Sequence, residues 1–172
     1  MKIPRFYADL GSFLKPNRVL ELHGPRQVGK TTLLKDYLAS APFKYRLDSG
    51  EDVRIQEVLE YQHFAKIREY ASGYGLLAID EAQKIRNVGQ ALKILVDQVP
   101  GIRVIATGSS SFDLAGQVGE PLTGRKITLT LYPVAHIELA GVLTPFELRE
   151  RLEEFLIFGG YPEVAASSDK KE

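Results

Sequence analysis

Residues 24–31, Gly-Pro-Arg-Gln-Val-Gly-Lys-Thr, place two glycines, a lysine and a hydroxyl at the spacing GxxxxGK[ST]. That combination suits the holding of a phosphate chain. Successive backbone N–H groups and the start of a helix surround phosphate oxygens with partial positive charge. Gly24 and Gly29 permit a close backbone approach that a Cβ would hinder. Lys30 is spaced to set its ammonium between the terminal phosphates, and Thr31 to put its hydroxyl on Mg²⁺. Pro25, Arg26, Gln27, Val28 and Thr32 complete the loop. Arg26 has two readings, a phosphate contact or an ion pair across the loop with a carboxylate of the chain.

Asp80-Glu81 closes the apolar run GLLAI. An acidic residue at the carboxyl end of a buried strand lies where open α/β sheets bind ligands. Asp80 is the candidate to hold Mg²⁺ through its water shell, and Glu81 the candidate general base that polarises an attacking water. Two further groups belong to the same inventory. Thr107-Gly108-Ser109-Ser110-Ser111 follows the apolar run IRVIA. Ser109 or Ser110 could report on a γ-phosphate there, or the run could cap a following helix SFDLAG, since serine is a favoured N-cap. Arg125, after Gly124, could reach the γ-phosphate of a neighbouring subunit and neutralise transition-state charge, or it could be a solvated or carboxylate-paired arginine.

These groups need elements to position them. RVLELH (18–23) reads as a strand running into the loop, and the segment from Gly29 as a helix ended by Pro42. FKYRLD (43–48) reads as a second strand, followed by two amphipathic helices carrying Ile55, Val58 and Leu59, then Phe64, Ile67 and Ala71. GLLAID (75–80) is apolar enough for a strand buried on both faces of a parallel sheet. Residues 88–99 keep the three-four rhythm of a helix. IRVIATG (102–108) and KITLTLY (126–132) complete five strands. Thr144-Pro145-Phe146-Glu147 forms a capping box with proline at the first helical position, predicting a helix that ends near Gly159-Gly160. Strands alternating with helices imply an α/β fold with a parallel sheet covered on both faces. Gly73–Ala78 fits a dinucleotide fingerprint, but it precedes a strand instead of following one and fails that context.

Composition sets outer bounds. The 172 residues fit one domain, and 22 basic residues against 22 acidic ones give no global pull toward nucleic acid or membrane. With no cysteine, thiolate metal sites and disulfides are excluded and the cytosol is the natural compartment. The first twenty residues lack the apolar run of a secretory signal, and no stretch reaches membrane-spanning length. Lys84, Arg86, Arg103, Arg125 and Lys126 are the basic residues from which a DNA-binding edge would have to be built. Absence of an NKxD motif argues against a switch GTPase. A small-molecule kinase would need an acceptor pocket and an arginine-bearing lid.

In order along the chain, GPRQVGKTTLL, LLAIDEAQK, VIATGSSSFDL, LTGR, LYPVAHIEL and FGGYPEV make it similar to a prokaryotic AAA+-like P-loop ATPase family, uncharacterised ATPases that carry a C-terminal domain of unknown function. The likeness runs from about Leu20 to Val164. It implies a three-layer α/β/α sandwich with a five-stranded parallel sheet in the order 5-1-4-3-2. It further implies that Lys30, Thr31, Asp80 and Glu81 take the Walker A and Walker B roles, that Ser109 and Ser110 fall in the sensor region, and that Arg125 is a candidate arginine finger. On this reading residues 1–17 are a lead-in, 18–140 the ATPase core, and 141–172 the start of a helical lid that continues in longer members. The implied ligands are ATP and Mg²⁺, and the candidate partners a second copy of the chain, another protein or DNA.

Overall fold

Alternation of apolar runs with amphipathic segments becomes, in the computed structural model, one sheet with helices on both sides. Residues 3–109 and 122–167 are described. A 3₁₀ turn at Leu10–Phe13 precedes β1 (Arg18–His23), α1 (Lys30–Leu38), β2 (Tyr45–Ser49), α2 (Val53–Glu60), α3 (Phe64–Ala71), β3 (Leu76–Asp80), α4 (Val88–Gln98), β4 (Arg103–Gly108) and β5 (Lys126–Thr130). Four short helices follow: α5 (His136–Leu139), α6 (Pro145–Glu150), α7 (Leu152–Phe158) and α8 (Pro162–Ala166). No helix among the described residues is long and apolar enough to cross a membrane.

All strand pairs are parallel, in the order β2-β3-β4-β1-β5. Read from the other edge this is 5-1-4-3-2. The register aligns Leu22 with Thr107 and Ile79 with Ala106, so His23, Asp80 and Gly108 end at one edge of the sheet. The side-chain period of two sends alternate residues to opposite faces. Leu20, Leu22, Leu76, Ala78 and Ile105 meet Leu33, Leu34 and Leu38 of α1 on one face. Val19, Leu77, Ile79, Val104 and Ala106 meet α2, α3 and α4 on the other. Burying each of the larger of these side chains contributes about 1.5–3 kcal/mol, and the two layers clamp the three central strands whose ends build the site.

Element boundaries differ from expectation where side chains have other work. β2 begins at Tyr45, since Phe43 instead packs beneath the Arg103 guanidinium, 4.4 Å from its ring centre. β5 stops at Thr130; Leu131 still donates to His23 O at 2.7 Å, but Pro133 cannot extend the ladder. The capping box at Thr144 forms as expected, with Glu147 N donating to Thr144 Oγ1 at 3.3 Å. The helix it starts breaks at Arg151 (φ −89°, ψ 0°), outside the helical well, so α6 and α7 are two helices. α7 ends at Gly159, whose φ of +78° glycine adopts without penalty.

Residues 3–9 are fastened to α5. The Glu138 carboxylate is buried and accepts from Arg5 Nε at 3.1 Å, Phe6 N at 2.6 Å and Ala135 N at 2.8 Å. Burial alone would raise its pKa, but the N–H donors of Ala135 and Phe6, with Arg5, outweigh it and hold the carboxyl below 4.5. A depressed carboxyl contributes stability above its unfolded pKa and loses it as pH falls through the folded one. Glu138→Gln is therefore expected to flatten the loss of melting temperature between about pH 5 and pH 3, as measured by thermal denaturation across that range; a limb as steep as the wild type's would contradict it.

Candidate functional site

The link from β1 to α1 carries the GxxxxGKT loop, and its shape follows from its glycines. Gly24 has φ +155°, and a Cβ there would lie 2.1 Å from Leu131 O. Gly29 has φ +93°. Both positions exclude other side chains, one by collision and the other by backbone conformation. Lys30 opens α1 and is buried, donating through Nζ to Gly24 O at 2.9 Å and Pro25 O at 2.7 Å. Burial pushes this ammonium below its ordinary 10.5, partly offset by the carboxylates of Glu81 and Asp80. Its proximity to both acids draws the loop and the end of β3 into one electrostatic unit.

Thr31 and Asp80, 49 positions apart, meet directly: Thr31 Oγ1 donates to Asp80 Oδ2 at 2.8 Å. The other carboxylate oxygen accepts from the hydroxyl of Thr107 on β4. Thr107 is fully buried, and its Oγ1 also accepts from Glu81 N at 3.2 Å. Asp80 thus ties α1, β3 and β4 together at the carboxyl edge of the sheet. A hydroxyl beside an anionic carboxylate is a pair of hard oxygen donors, the type Mg²⁺ takes alongside water and phosphate oxygens.

Glu81 sits in the left-handed region at φ 51°, ψ 39°. A non-glycine residue held there is strained, and such residues cluster at functional sites. Two neighbours enforce the turn. Gly50 N donates to Asp80 O at 2.7 Å, and a Cβ on Gly50 would lie 2.4 Å from Glu81 O. Gln83 donates its side-chain amide to the Glu81 carboxylate and to Ser109 Oγ, the latter at 3.2 Å. A cleft of about 690 Å³ is lined by Arg26, Gln27, Gly29, Lys30, Thr31, Thr32 and Glu81, with Glu51, Lys84, Pro162 and Glu163 around them.

Lys30, Thr31, Asp80, Glu81 and Ser109 are therefore brought together. Arg26 is exposed on the loop and has no ion pair among the described residues. Ser110, Ser111 and the segment SFDLAG lie outside the described residues. Arg125 stands at the opposite end of the sheet, where its backbone carbonyl accepts from Val19 N and its Nε donates to Asp97 Oδ1 at 2.7 Å. It is not near its own chain's loop. The five basic residues considered for a DNA edge also divide. Lys84 and Arg86 follow β3 at the carboxyl end, whereas Arg103, Arg125 and Lys126 lie at the amino end. Lys84, Arg125 and Lys126 have carboxylates within 4.0 Å, from Glu51, Asp97 and Glu21.

Three residues escaped sequence reasoning. Thr107 stood in the threonine-serine run, but the role went to the serines after it. Gly50 meets Glu81 only through the fold, and Gln83, two positions after Glu81, has nothing in its residue type to mark the contact. Thr107→Val, which keeps the shape and removes the hydroxyl, leaves Asp80 Oδ1 and Glu81 N short of a partner. It is expected to cost about 1–3 kcal/mol of stability by urea denaturation; an unchanged midpoint would contradict the bridging role.

A model of the AAA domain family matches residues 16–140. An uncharacterised protein of Mycobacterium tuberculosis is 32% identical over 145 residues, which is 84% of this chain and 30% of that protein. One of Methanocaldococcus jannaschii is 27% identical over 177 residues, covering 94% of this chain and 40% of its own length. The chain therefore spans 30% to 40% of these curated relatives. Among solved structures, Drosophila ORC bound to DNA superposes with a TM-score of 0.52 at 15% identity, over 83% of this chain and 44% of that one. C. elegans PCH-2 gives 0.46 at 16%, over 83% and 41%.

Proposed function

The chain belongs to the AAA domain family, and from that premise we propose that it binds ATP with Mg²⁺ and hydrolyses it, coupling nucleotide state to a conformational change. The observation that carries this reading is the 2.8 Å contact between Thr31 and Asp80. It places the hydroxyl of the phosphate loop and the carboxylate of the strand end on one spot, beside the buried ammonium of Lys30.

On this reading the loop from Gly24 to Thr32 wraps the phosphates, and Lys30 neutralises the terminal ones by leaving its carbonyl partners. Thr31 and Asp80 hold Mg²⁺, which when bound offsets phosphate charge. Glu81 orients a water and accepts its proton, and its strained turn fixes where that carboxylate points. Ser109, linked to Glu81 through Gln83, lies where a γ-phosphate contact could be sensed. Arg125, remote from its own loop, fits a role only on a neighbour's nucleotide, which requires a homo-oligomer. Residues 18–140 form the working core, with 1–17 as lead-in and 141–172 beginning a lid. The recipient of the motion on this reading is a protein partner or DNA, the latter bound in the Drosophila ORC structure.

Glu81→Gln is expected to slow turnover by roughly 10²–10⁴-fold while ATP still binds; phosphate release at the wild-type rate would remove Glu81 from the role of base. Lys30→Ala deletes the only buried cation of the loop and is expected to weaken nucleotide binding by roughly tenfold or more, the worth of a charged hydrogen bond. Unaltered affinity by calorimetry would contradict the loop's assignment.

A second reading, an ATP-gated interaction module with little hydrolysis, draws on the Gln83 amide that occupies the Glu81 carboxylate. Single-turnover kinetics separate the two. A rate that rises with protein concentration supports the oligomeric ATPase, and a slow rate indifferent to concentration or DNA supports the switch.

A further inference from the structure

Arg5 lies outside every motif of the loop, yet its guanidinium reaches three separate parts of the fold. Nη1 donates to Val28 O at 2.7 Å, Nη2 to Tyr132 O at 2.5 Å, and Nε to Glu138 Oε1 at 3.1 Å. The group is close to fully buried, with its side chain 11% exposed and that of Glu138 7%. Its acceptors come from the phosphate loop, from the chain leaving β5, and from α5.

We propose that Arg5 is a positioning residue for the phosphate loop, fixing the peptide plane between Val28 and Gly29 and tying it to α5 through Glu138. The reason lies in peptide geometry. In a trans peptide the carbonyl and the following N–H point in opposite directions, and the described residues contain no cis bond. Arg5 holds the Val28 carbonyl on its own side of the loop, so the Gly29 N–H is turned to the opposite side. Gly29, at φ +93°, has no side chain to stop this plane from rotating, and glycine crosses between backbone wells more readily than any other residue. An external anchor is the remedy. Arg5 Nη1 stands 3.5 Å from where a Cβ of Gly29 would be, and Pro162 of α8 closes the same point at 3.8 Å. Loop, β5 exit, α5 and α8 therefore meet around one guanidinium, and a shift of the loop on nucleotide binding is felt by the helices that follow the sheet.

Only arginine suits this task. Its donors leave a rigid planar fork in divergent directions, whereas lysine offers three protons on a single atom. Arg5→Lys keeps the cation near Glu138 but cannot serve all three acceptors.

The inference rests on the proposed nucleotide role only for the second of two readouts. The first is the backbone ¹⁵N order parameter of residues 27–30 in the ligand-free protein. In Arg5→Lys these are expected to fall from about 0.85 toward 0.6, with β1 and β4 unchanged. Unaltered loop values, or a fall spread equally over the sheet, would overturn the proposal, the latter because it marks a merely structural residue. The second is ATP affinity, expected to weaken roughly tenfold, the worth of one charged hydrogen bond, with KM rising more than kcat falls. Should Arg5→Lys fail to fold, Glu138→Gln keeps the arginine and weakens its anchor; a smaller loss of order confined to the loop supports the proposal and no loss overturns it. A wild-type protein that binds no ATP would refute the nucleotide reading, while the order parameters still decide the role of Arg5.

Discussion

The carboxylate of Asp80 accepts from Thr31 at the start of α1 and from Thr107 at the end of β4, while its own residue ends β3. The end of β3, the end of the parallel β4 and the start of α1 are held by one carboxylate. Asp80 could not be placed there without β3 lying next to β4, and the apolar layers on both faces of the sheet secure that neighbour. The fold's largest energetic investment, burial of apolar strands, thus serves to bring two hydroxyls within reach of one carboxylate. A half-buried acid with both oxygens hydrogen-bonded avoids the desolvation penalty an unpaired one would suffer.

Around this anchor the backbone carries the strain. Glu81 is forced into a left-handed turn immediately after a strand of ordinary geometry. Gly50 lets the β2 turn press against the Glu81 carbonyl, and Gly24 lets the phosphate loop press against Leu131 O. In both places a glycine is needed for space more than for flexibility. The consequence is a carboxylate, an ammonium and two hydroxyls whose positions are set by main-chain packing before any ligand is considered. Such advance ordering is how a site lowers the cost of reorganising around developing charge.

Much of this was legible in the sequence, and the reasons divide cleanly. The loop is contiguous, so its glycines, lysine and threonine announce themselves together. The run Leu76–Ile79 is apolar at every position, which marks a central strand and makes the acid after it conspicuous. The parallel sheet follows from alternation, and its order from the resemblance. Thr107, Gly50, Gln83 and Arg5 were not legible, because each matters through a partner between 2 and 133 positions away with no periodicity to betray it. Arg125 shows the converse. Its place just before a strand could be read, and in a parallel sheet that puts it at the amino edge, away from the loop, as the register with β1 bears out. The break at Arg151 is invisible in a segment whose residues favour helix throughout.

The central claim is that Thr31 and Asp80 form the metal-facing half of a nucleotide site. Its most direct measurement is ATP affinity with Mg²⁺ and with chelator, for the wild type and for Asp80→Asn. Mg²⁺ is expected to strengthen ATP binding in the wild type, and Asp80→Asn to lose this advantage while keeping its metal-free affinity. An Asp80→Asn protein that retains the full Mg²⁺ advantage would contradict it.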